Sequence, residues 1–594
     1  MSTTNASRDG RAGWVLLALA LVPAAFLLVV ILRYGVNLPF LDHWTLAGLF
    51  KEIEQGTLTL GDLTAQHNES RMFFPRLLVL PLAYLSGWNV RLEMLVSFLL
   101  ACLVSINVYR LGRASFPDRR LTSLGLLVPA NLLIFSVVQW QNWLWGFQLV
   151  AFLPIALLTS SLVVACSRWS ITSRVVVNIV LATIASFSFS SGLLCWFVVL
   201  PVLMLLDWSE FAKRRWLVAA WLAAAAANFT LYFATYTHPE NHPVLGEALR
   251  RVLDAIVFFA AFLGAPVAWV IGRDSGATLS VSAGIGFVLS ALFLVCAATV
   301  WLQRTSNTLR RRAAPWLGIG AFALLSGGML TMARVGFGTG YALQSRYSTA
   351  ALYLCVALIF LIRVLLEEGR RTGGPWGWPS MSHAAVALLM LLVAAHAITS
   401  VRLLPNLPIL KQQRLVGKAM LTLLDVAPDV QGLGRFVFPF VDELPEVARS
   451  VDRQGLLDPP LLSSNRVLQI AEISTGDSHG ALERYAPRPD ALILRGWAIL
   501  PDRGEPAHAV LLCHEIPGDE PRIFAVAATG IARPDVVERE GRAGLLGSGW
   551  EYRRALTQPL RRDMTVSAWA FDTLTRKAFR LEGSVEVGSV EIRD

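Results

Sequence analysis

Residues 14–32 read WVLLALALVPAAFLLVVIL, nineteen positions without a charge. A helix needs about 20 mostly apolar residues to cross the hydrocarbon core of a bilayer, and this run has that length. Arg8 and Arg11 precede it and no small-residue cleavage site follows, so it reads as an uncleaved anchor rather than a signal peptide. The pattern recurs at 92–110, 121–137, 149–166, 175–190, 193–206, 216–234, 279–302, 315–333, 348–366 and 384–401. With 55% hydrophobic and only 16% charged residues in 594, the composition is that of a polytopic α-helical membrane protein of about 11–13 helices.

Two further apolar runs, 72–87 and 252–271, decide the topology. If neither fully crosses, Arg110, Arg113, Arg119, Arg120, Arg168, Arg174, Lys213, Arg214 and Arg215 all lie in the cytoplasm, and the alternating loops hold only Arg250 and Arg251. If both cross, those cations move outside. The positive-inside bias selects the first arrangement. Pro75, Pro81 and Pro266 suit tilted, broken or re-entrant helices. Both arrangements place the N-terminus inside and the C-terminal part outside. The net charge of +10 sits largely in short loops facing anionic lipid and is not a nucleic-acid signal. Sparse lysine, abundant alanine, arginine and leucine, and no secretory cysteine pattern point to a bacterial inner membrane. Cys102, Cys166, Cys195, Cys296 and Cys355 fall in helices and Cys513 stands alone beyond them, so neither a disulfide framework nor a Cys-based metal site is implied.

The membrane domain spans 1–401, and 402–465 form an extracytoplasmic connector whose residues 412–424 read as an amphipathic helix. From 466 to 594 the pattern changes to short apolar runs at 491–498, 509–512, 523–526 and 566–571. Turn-rich stretches at 501–504 and 517–519 separate them, which predicts a small extracytoplasmic β-sandwich-like domain.

Polarity gathers in a few loops. Asp42-His43-Trp44 follows the first helix, and His67-Asn68-Glu69-Ser70-Arg71 precedes the next apolar run. Titratable groups are costly beside hydrocarbon, and where they collect they mark a functional site. Leu46, Leu49, Phe50 and Ile53 recur at helical spacing, with Lys51, Glu52 and Glu54 opposite, so 44–54 predicts a helix along the membrane surface that holds Asp42 at the lipid–water boundary. The plainer readings are that Asp42 only caps this helix and that 67–71 is a solvated loop; Asn68-Glu69-Ser70 also matches a glycosylation sequon, a pattern frequent by chance.

Residues 139–148 interleave Trp140, Trp143, Trp145 and Phe147 with Gln139, Gln141, Asn142 and Gln148. An interfacial girdle accounts for the tryptophans. It does not account for the amides, which together with Trp140 and His43 have the chemistry of a sugar or acceptor subsite. Arg334 to Tyr341 and Gln344-Ser345-Arg346-Tyr347 place two arginines against the positive-inside trend. Arginine matches phosphate oxygens in a bidentate fork and glycines admit close backbone approach, so a phosphate clamp of Arg334, Arg346, Tyr347 and Arg71 competes with simple snorkelling. No phosphate-binding nucleotide loop, HExxH or Ser–His–Asp signature is present.

These residues resemble the GT-C superfamily of integral-membrane glycosyltransferases over roughly residues 10–460. Asp42 with His67–Arg71, and Ser345-Arg346-Tyr347, carry the likeness. The resemblance implies transfer of a sugar from a polyprenyl-phosphate carrier to a glycan, lipid or protein acceptor at the outer face, usually with inversion, and it matches Asp42 to the first-loop catalytic carboxylate. Glu69 shares that loop without a matched position. Loop 138–148 lacks the second acidic residue that many members use, so a divalent metal is possible but unsupported. Independently, attack by an acceptor hydroxyl needs a base, for which Asp42 is the candidate with His67 or Glu69 orienting it. The leaving lipid phosphate needs fixed cations. A transporter or flippase would need polar or broken helices near the midplane, where the chain offers mainly His396. An envelope assembly factor would not need so many helices. In the C-terminal domain Trp497, Trp550, Trp569 and Tyr552 are possible sugar platforms or core residues.

Overall fold

The structure, a computed structural model, describes residues 2–268, 276–303, 306–472, 479–488, 491–555 and 565–586. Among the described residues, ten helices are long and apolar enough to cross a membrane: Gly10–Tyr34, Val90–Ser115, Arg120–Trp143, Gly146–Ala165, Ser190–Lys213, Arg215–Phe233, Gly276–Leu302, Asn307–Phe337, Ser345–Thr372 and Pro379–Thr422. The apolar helices Phe73–Ser86, Ile171–Ser186 and Val252–Ala268 are shorter. At about 1.5 Å per residue none of the three reaches the ~30 Å of a hydrocarbon core. The end of the 252–271 run lies outside the described residues.

Contacts between loops settle which of the short helices cross. His67 meets Phe147 edge-on at 5.3 Å, so 66–71 and 137–148 share one end of the bundle. Two long helices between them cancel, and Phe73–Ser86 must return to the end it left. The Ser190 N–H donates to Ser70 Oγ at 3.1 Å, which puts residue 190 at that same end. Ile171–Ser186 therefore crosses despite its 16 residues. Glu69 bonds both His242 and Arg334, so Val252–Ala268 does not cross. Two of its carbonyls are bonded by a neighbouring helix: His396 Nδ1 donates to the Pro266 carbonyl at 2.8 Å and Thr399 Oγ1 to that of Val267 at 3.1 Å.

The chain divides into two compact units, a helical unit of Met1–Arg33, Thr59–Val79 and Leu92–Leu404, and a barrel unit of Tyr34–Leu58, Leu80–Arg91 and Pro405–Asp594. The chain passes from the helical to the barrel unit between Leu404 and Pro405, and the surface helix after Asp42 belongs with the C-terminal part. Its polar face explains this: Lys51 pairs with Glu446 at 2.6 Å, and Ser450 Oγ donates to Glu54 at 2.7 Å. The helix predicted over 412–424 runs Leu407–Thr422.

Apart from the two-residue strands β1 (Gln66–His67) and β2 (Ser70–Arg71) of the helical unit, all strands lie in the C-terminal domain. These are β3 (Gly480–Arg488), β4 (Ala491–Leu500), β5 (Glu505–Pro506), β6 (Ala509–Glu515), β7 (Arg522–Ile531), β8 (Gly549–Ala555), β9 (Thr565–Asp572) and β10 (Lys577–Glu586). Their order β3-β10-β9-β6-β7-β8-β4 closes through β3–β4, so the domain is a seven-stranded barrel with β5 on its rim and not the expected sandwich. Closure removes exposed strand edges. Leu494, Val510, Leu512, Trp550, Ala568, Ala570, Phe579 and Leu581 fill the interior. Gly496 is required where β3 crosses β4, since a Cβ there would stand 1.9 Å from the Ala481 carbonyl oxygen. Trp497, Trp550 and Trp569 are buried, which makes them packing residues rather than sugar platforms.

Candidate functional site

The polar sequence 66–71 folds as a hairpin in which Gln66 pairs with Arg71 and His67 with Ser70. Asn68 takes the tight turn at φ +48°, a left-handed conformation in which asparagine is enriched. Gln66 accepts from Thr237 N–H (3.1 Å) and donates to the Thr237 carbonyl (2.7 Å), fastening the hairpin to the loop after Arg215–Phe233. Arg71 is buried, and its Nε donates to the Tyr232 carbonyl at 2.6 Å, one Nη to the Thr64 carbonyl and the other to Thr235 Oγ1. It is a strut of the loop, which corrects its assignment to a phosphate clamp.

Glu69 stands at the hairpin tip. Arg334 reaches it with both terminal nitrogens, one to each carboxylate oxygen, the second bond measuring 2.8 Å. Oε1 also meets His242 Nδ1 at 2.6 Å. Burial alone would raise this carboxyl, but the Arg334 hydrogen bonds and charge outweigh it and hold Glu69 below its ordinary value of 4.5. An ionised acceptor at Nδ1 fixes the imidazole as the Nδ1–H form. Nε2, which then carries the lone pair, has no hydrogen bond among the described residues. The three side chains are 23%, 15% and 17% exposed for Glu69, Arg334 and His242, so the cluster is half-buried and reachable.

The glycine-rich loop holds this geometry from the other side. A Cβ on Gly336 would lie 2.5 Å from Pro243 Cβ, so only glycine lets the loop pack against the residue after His242. Phe337 sets its ring edge-on to His242 at 6.1 Å. Arg346 donates to Tyr341 Oη at 2.7 Å and lies over the Tyr341 and Tyr347 rings, while the Tyr347 hydroxyl reaches Arg334. Three of the four predicted phosphate ligands, Arg334, Arg346 and Tyr347, are thus gathered in one patch.

The aromatic–amide loop has a different task from the one expected. Trp140, Asn142 and Gln148 are buried. Asn142 Nδ2 donates to the Arg346 carbonyl (2.8 Å) and to Thr349 Oγ1 (2.7 Å), and Gln141 Oε1 accepts from the Arg346 N–H (3.1 Å). Gln141 and Asn142 therefore position Arg346 through its backbone instead of presenting amides to a sugar. Gln148 alone keeps a carboxamide without a hydrogen-bond partner among the described residues.

Asp42 and His43 lie in the barrel unit and His67, Glu69 and Arg71 in the helical unit, so the stretch read as one polar patch is divided. His43 is fully buried, accepts from the Phe40 N–H at Nδ1 (3.3 Å) and packs edge-on to Trp88, which corrects its reading as a sugar contact. Asp42 is partly exposed, inside a 3₁₀ turn entered through Leu41 at φ +47°. The following helix has His43 at its N-cap position and no side-chain cap, so Asp42 does not cap it.

His242 is the functional residue that sequence reasoning missed. Its segment, Tyr236-Thr237-His238-Pro239-Glu240-Asn241-His242-Pro243, shows the same concentration of titratable groups that singled out 67–71. Among the described residues no three His, Cys, Asp or Glu side chains converge, and Glu69 is engaged by Arg334 and His242. No family model, curated protein or solved structure matches the chain. What the fold and the site define is a class: a polytopic helical membrane protein with a C-terminal β-barrel domain and a charged cluster where its loops converge.

Proposed function

We propose that the protein is a glycosyltransferase of the bacterial inner membrane that moves a sugar from a polyprenyl-phosphate carrier to an envelope glycan, lipid or protein. Its N-terminus faces the cytoplasm, where the nine basic residues of the alternate loops belong, and the cluster and barrel face outward. The observation that carries the reading is the meeting at Glu69 of Arg334 and His242, with Arg346 and Tyr347 alongside.

In this mechanism His242 Nε2 takes the proton of the acceptor hydroxyl as its oxygen attacks the anomeric carbon. The bond from that carbon to the phosphate oxygen breaks at the opposite face, which inverts the configuration. Glu69 stays ionised and stabilises the imidazolium that forms, the role of an orienting carboxylate behind a catalytic base. Arg334, already paired with Glu69, and Arg346 both meet the charge that develops on the leaving phosphate. Gln148 offers a carboxamide to sugar hydroxyls, and His67 meets the ring of the preceding residue, Phe147. Asp42 enters through the GT-C resemblance as a competing candidate for the base.

The test is turnover of polyprenyl-phosphate sugars by the purified protein, following release of lipid phosphate, with Asp42→Asn and His242→Gln beside wild type. Release by wild type but not by His242→Gln supports this assignment. Loss in Asp42→Asn alone transfers the base to Asp42. No release from any donor, with acceptor-bearing membrane extract present, sinks the transferase reading.

A further inference from the structure

The barrel unit contains a buried ammonium that makes no hydrogen bond or ion pair among the described residues. Lys418, on the Leu407–Thr422 helix, is 5% exposed, and among the described residues its Nζ makes no hydrogen bond or ion pair. One turn earlier Arg414 has none either; its guanidinium lies 3.3 Å from the centre of the Phe40 ring. The chain passes close above this face because Gly417 sits between the two cations, where a Cβ would stand 3.2 Å from Leu38 Cδ2. Native proteins rarely bury an unpaired ammonium, because desolvation costs several kcal/mol unless an opposite charge or hydrogen bonds offset it.

Lys418 lines a small cavity of about 10 Å³ with Asn37, Trp88 and Asp458. Trp88 is 1% exposed, its indole Nε1–H is buried without an acceptor, and its backbone holds φ +48°. A tryptophan in that region is strained, and such strain persists only where the surroundings enforce it. Asn37 spends its Oδ1 on the Val90 N–H at 3.0 Å, and its Nδ2 has no acceptor among the described residues. The cavity is therefore faced by an ammonium and two N–H donors. Its one anionic group, Asp458, is solvent-exposed. The charge of Asp458 favours the Lys418 ammonium and that of Arg91 opposes it.

We infer that this cavity is an oxyanion site, seating one oxygen of a phosphate group on Lys418, Trp88 and Asn37, with the rest of the ligand in the mouth and Arg414 adding charge behind it. The volume suits one oxygen atom of the size of a water. Lysine as a point charge and an indole N–H both suit a phosphate oxygen, and the site uses none of the residues invoked for sugar transfer. The phosphate belongs either to a lipid headgroup or to a soluble phosphate.

The test is thermal unfolding of the full-length protein in detergent, titrated with inorganic phosphate against chloride at matched ionic strength, and separately with phosphatidic acid against phosphatidylcholine. Wild type should gain several degrees with phosphate. Lys418→Met should start higher, because an uncompensated buried charge is gone, and should not respond. Trp88→Phe, which keeps a ring but loses the donor, should raise the half-maximal phosphate concentration about tenfold. Asp458→Asn should lower it. A response to phosphatidic acid alone assigns the lipid headgroup, and one to inorganic phosphate assigns a soluble ligand. The inference is overturned if wild type ignores both probes, which leaves an ordered water in the cavity. It is equally overturned if Lys418→Met responds like wild type, or if Lys418→Met and Asp458→Asn are destabilised alike, which would make the two residues a water-bridged pair.

Discussion

The molecule builds a carboxylate, an arginine and a histidine into one cluster twice, and the two clusters have opposite characters. In the helical unit, Glu69, Arg334 and His242 are half-buried, and the imidazole gives Nδ1 to the carboxylate and leaves Nε2 open. In the barrel, Asp572 accepts from Arg503 Nε at 2.8 Å and from the Leu574 N–H at 2.9 Å. There His508 is 1% exposed and its Nδ1 accepts the Thr573 N–H at 3.1 Å, so the ring serves the backbone. Burial pushes His508 down to about 4, against the opposing pull of Asp572, and it stays neutral. The same three residue types thus hold a turn in one place and offer a base in the other. Exposure, and which ring nitrogen is engaged, decide between the two.

The contrast breaks or sharpens on substitution. His242→Gln should lower turnover by about 10²–10⁴-fold, the span of a lost general base, with the melting temperature nearly unchanged. His508→Gln should do the reverse, leaving turnover intact while costing about 1–3 kcal/mol in denaturant unfolding through the orphaned Thr573 N–H. If His508→Gln abolishes turnover and His242→Gln does not, the roles are exchanged.

Acid should separate the clusters as well. His508 is lowered from 6.5, so the unfolded chain binds its proton first, and its stabilisation is complete above pH 6.5 and lost as pH falls toward about 4, a loss of roughly 3 kcal/mol. Glu69 is lowered from 4.5, so its contribution persists above that value and disappears only as pH drops below it. Barrel unfolding that is flat between pH 6.5 and 4 would contradict the buried neutral histidine. The smallest effect on turnover is expected from Gly336→Ala: a Cβ meeting Pro243 should push the loop back by roughly an ångström, lowering turnover severalfold at a stability cost of about 1–3 kcal/mol.

Much of this was legible in one dimension. Runs such as 14–32 announce helices because the bilayer demands uninterrupted apolar length, and the run at 252–271 was set apart by its proline, with its end outside the described residues. Barrel closure was not legible, because pairing of β3 with both β4 and β10 leaves no local mark. Glu69, Arg334, Arg346 and Tyr347 stood out as polar groups against an apolar background, but 265 residues separate Glu69 from Arg334, and only the fold makes them a pair. Burial misled in the other direction. His43 and Asn142 have the chemistry of ligand contacts, yet tertiary packing turns them to the backbone. His242 carried a readable signal in its doubled His-Pro segment, and its weight appears only once Glu69 lies 2.6 Å away.

The most direct test of the central claim is chemical rescue of His242→Ala by free imidazole in the lipid-phosphate release assay. The account predicts that imidazole restores turnover in His242→Ala, saturably and with a pH dependence following the imidazole base, and does nothing for Arg346→Ala. Turnover in His242→Ala equal to wild type, or a loss that imidazole leaves untouched while Asp42→Asn is equally dead, would contradict it.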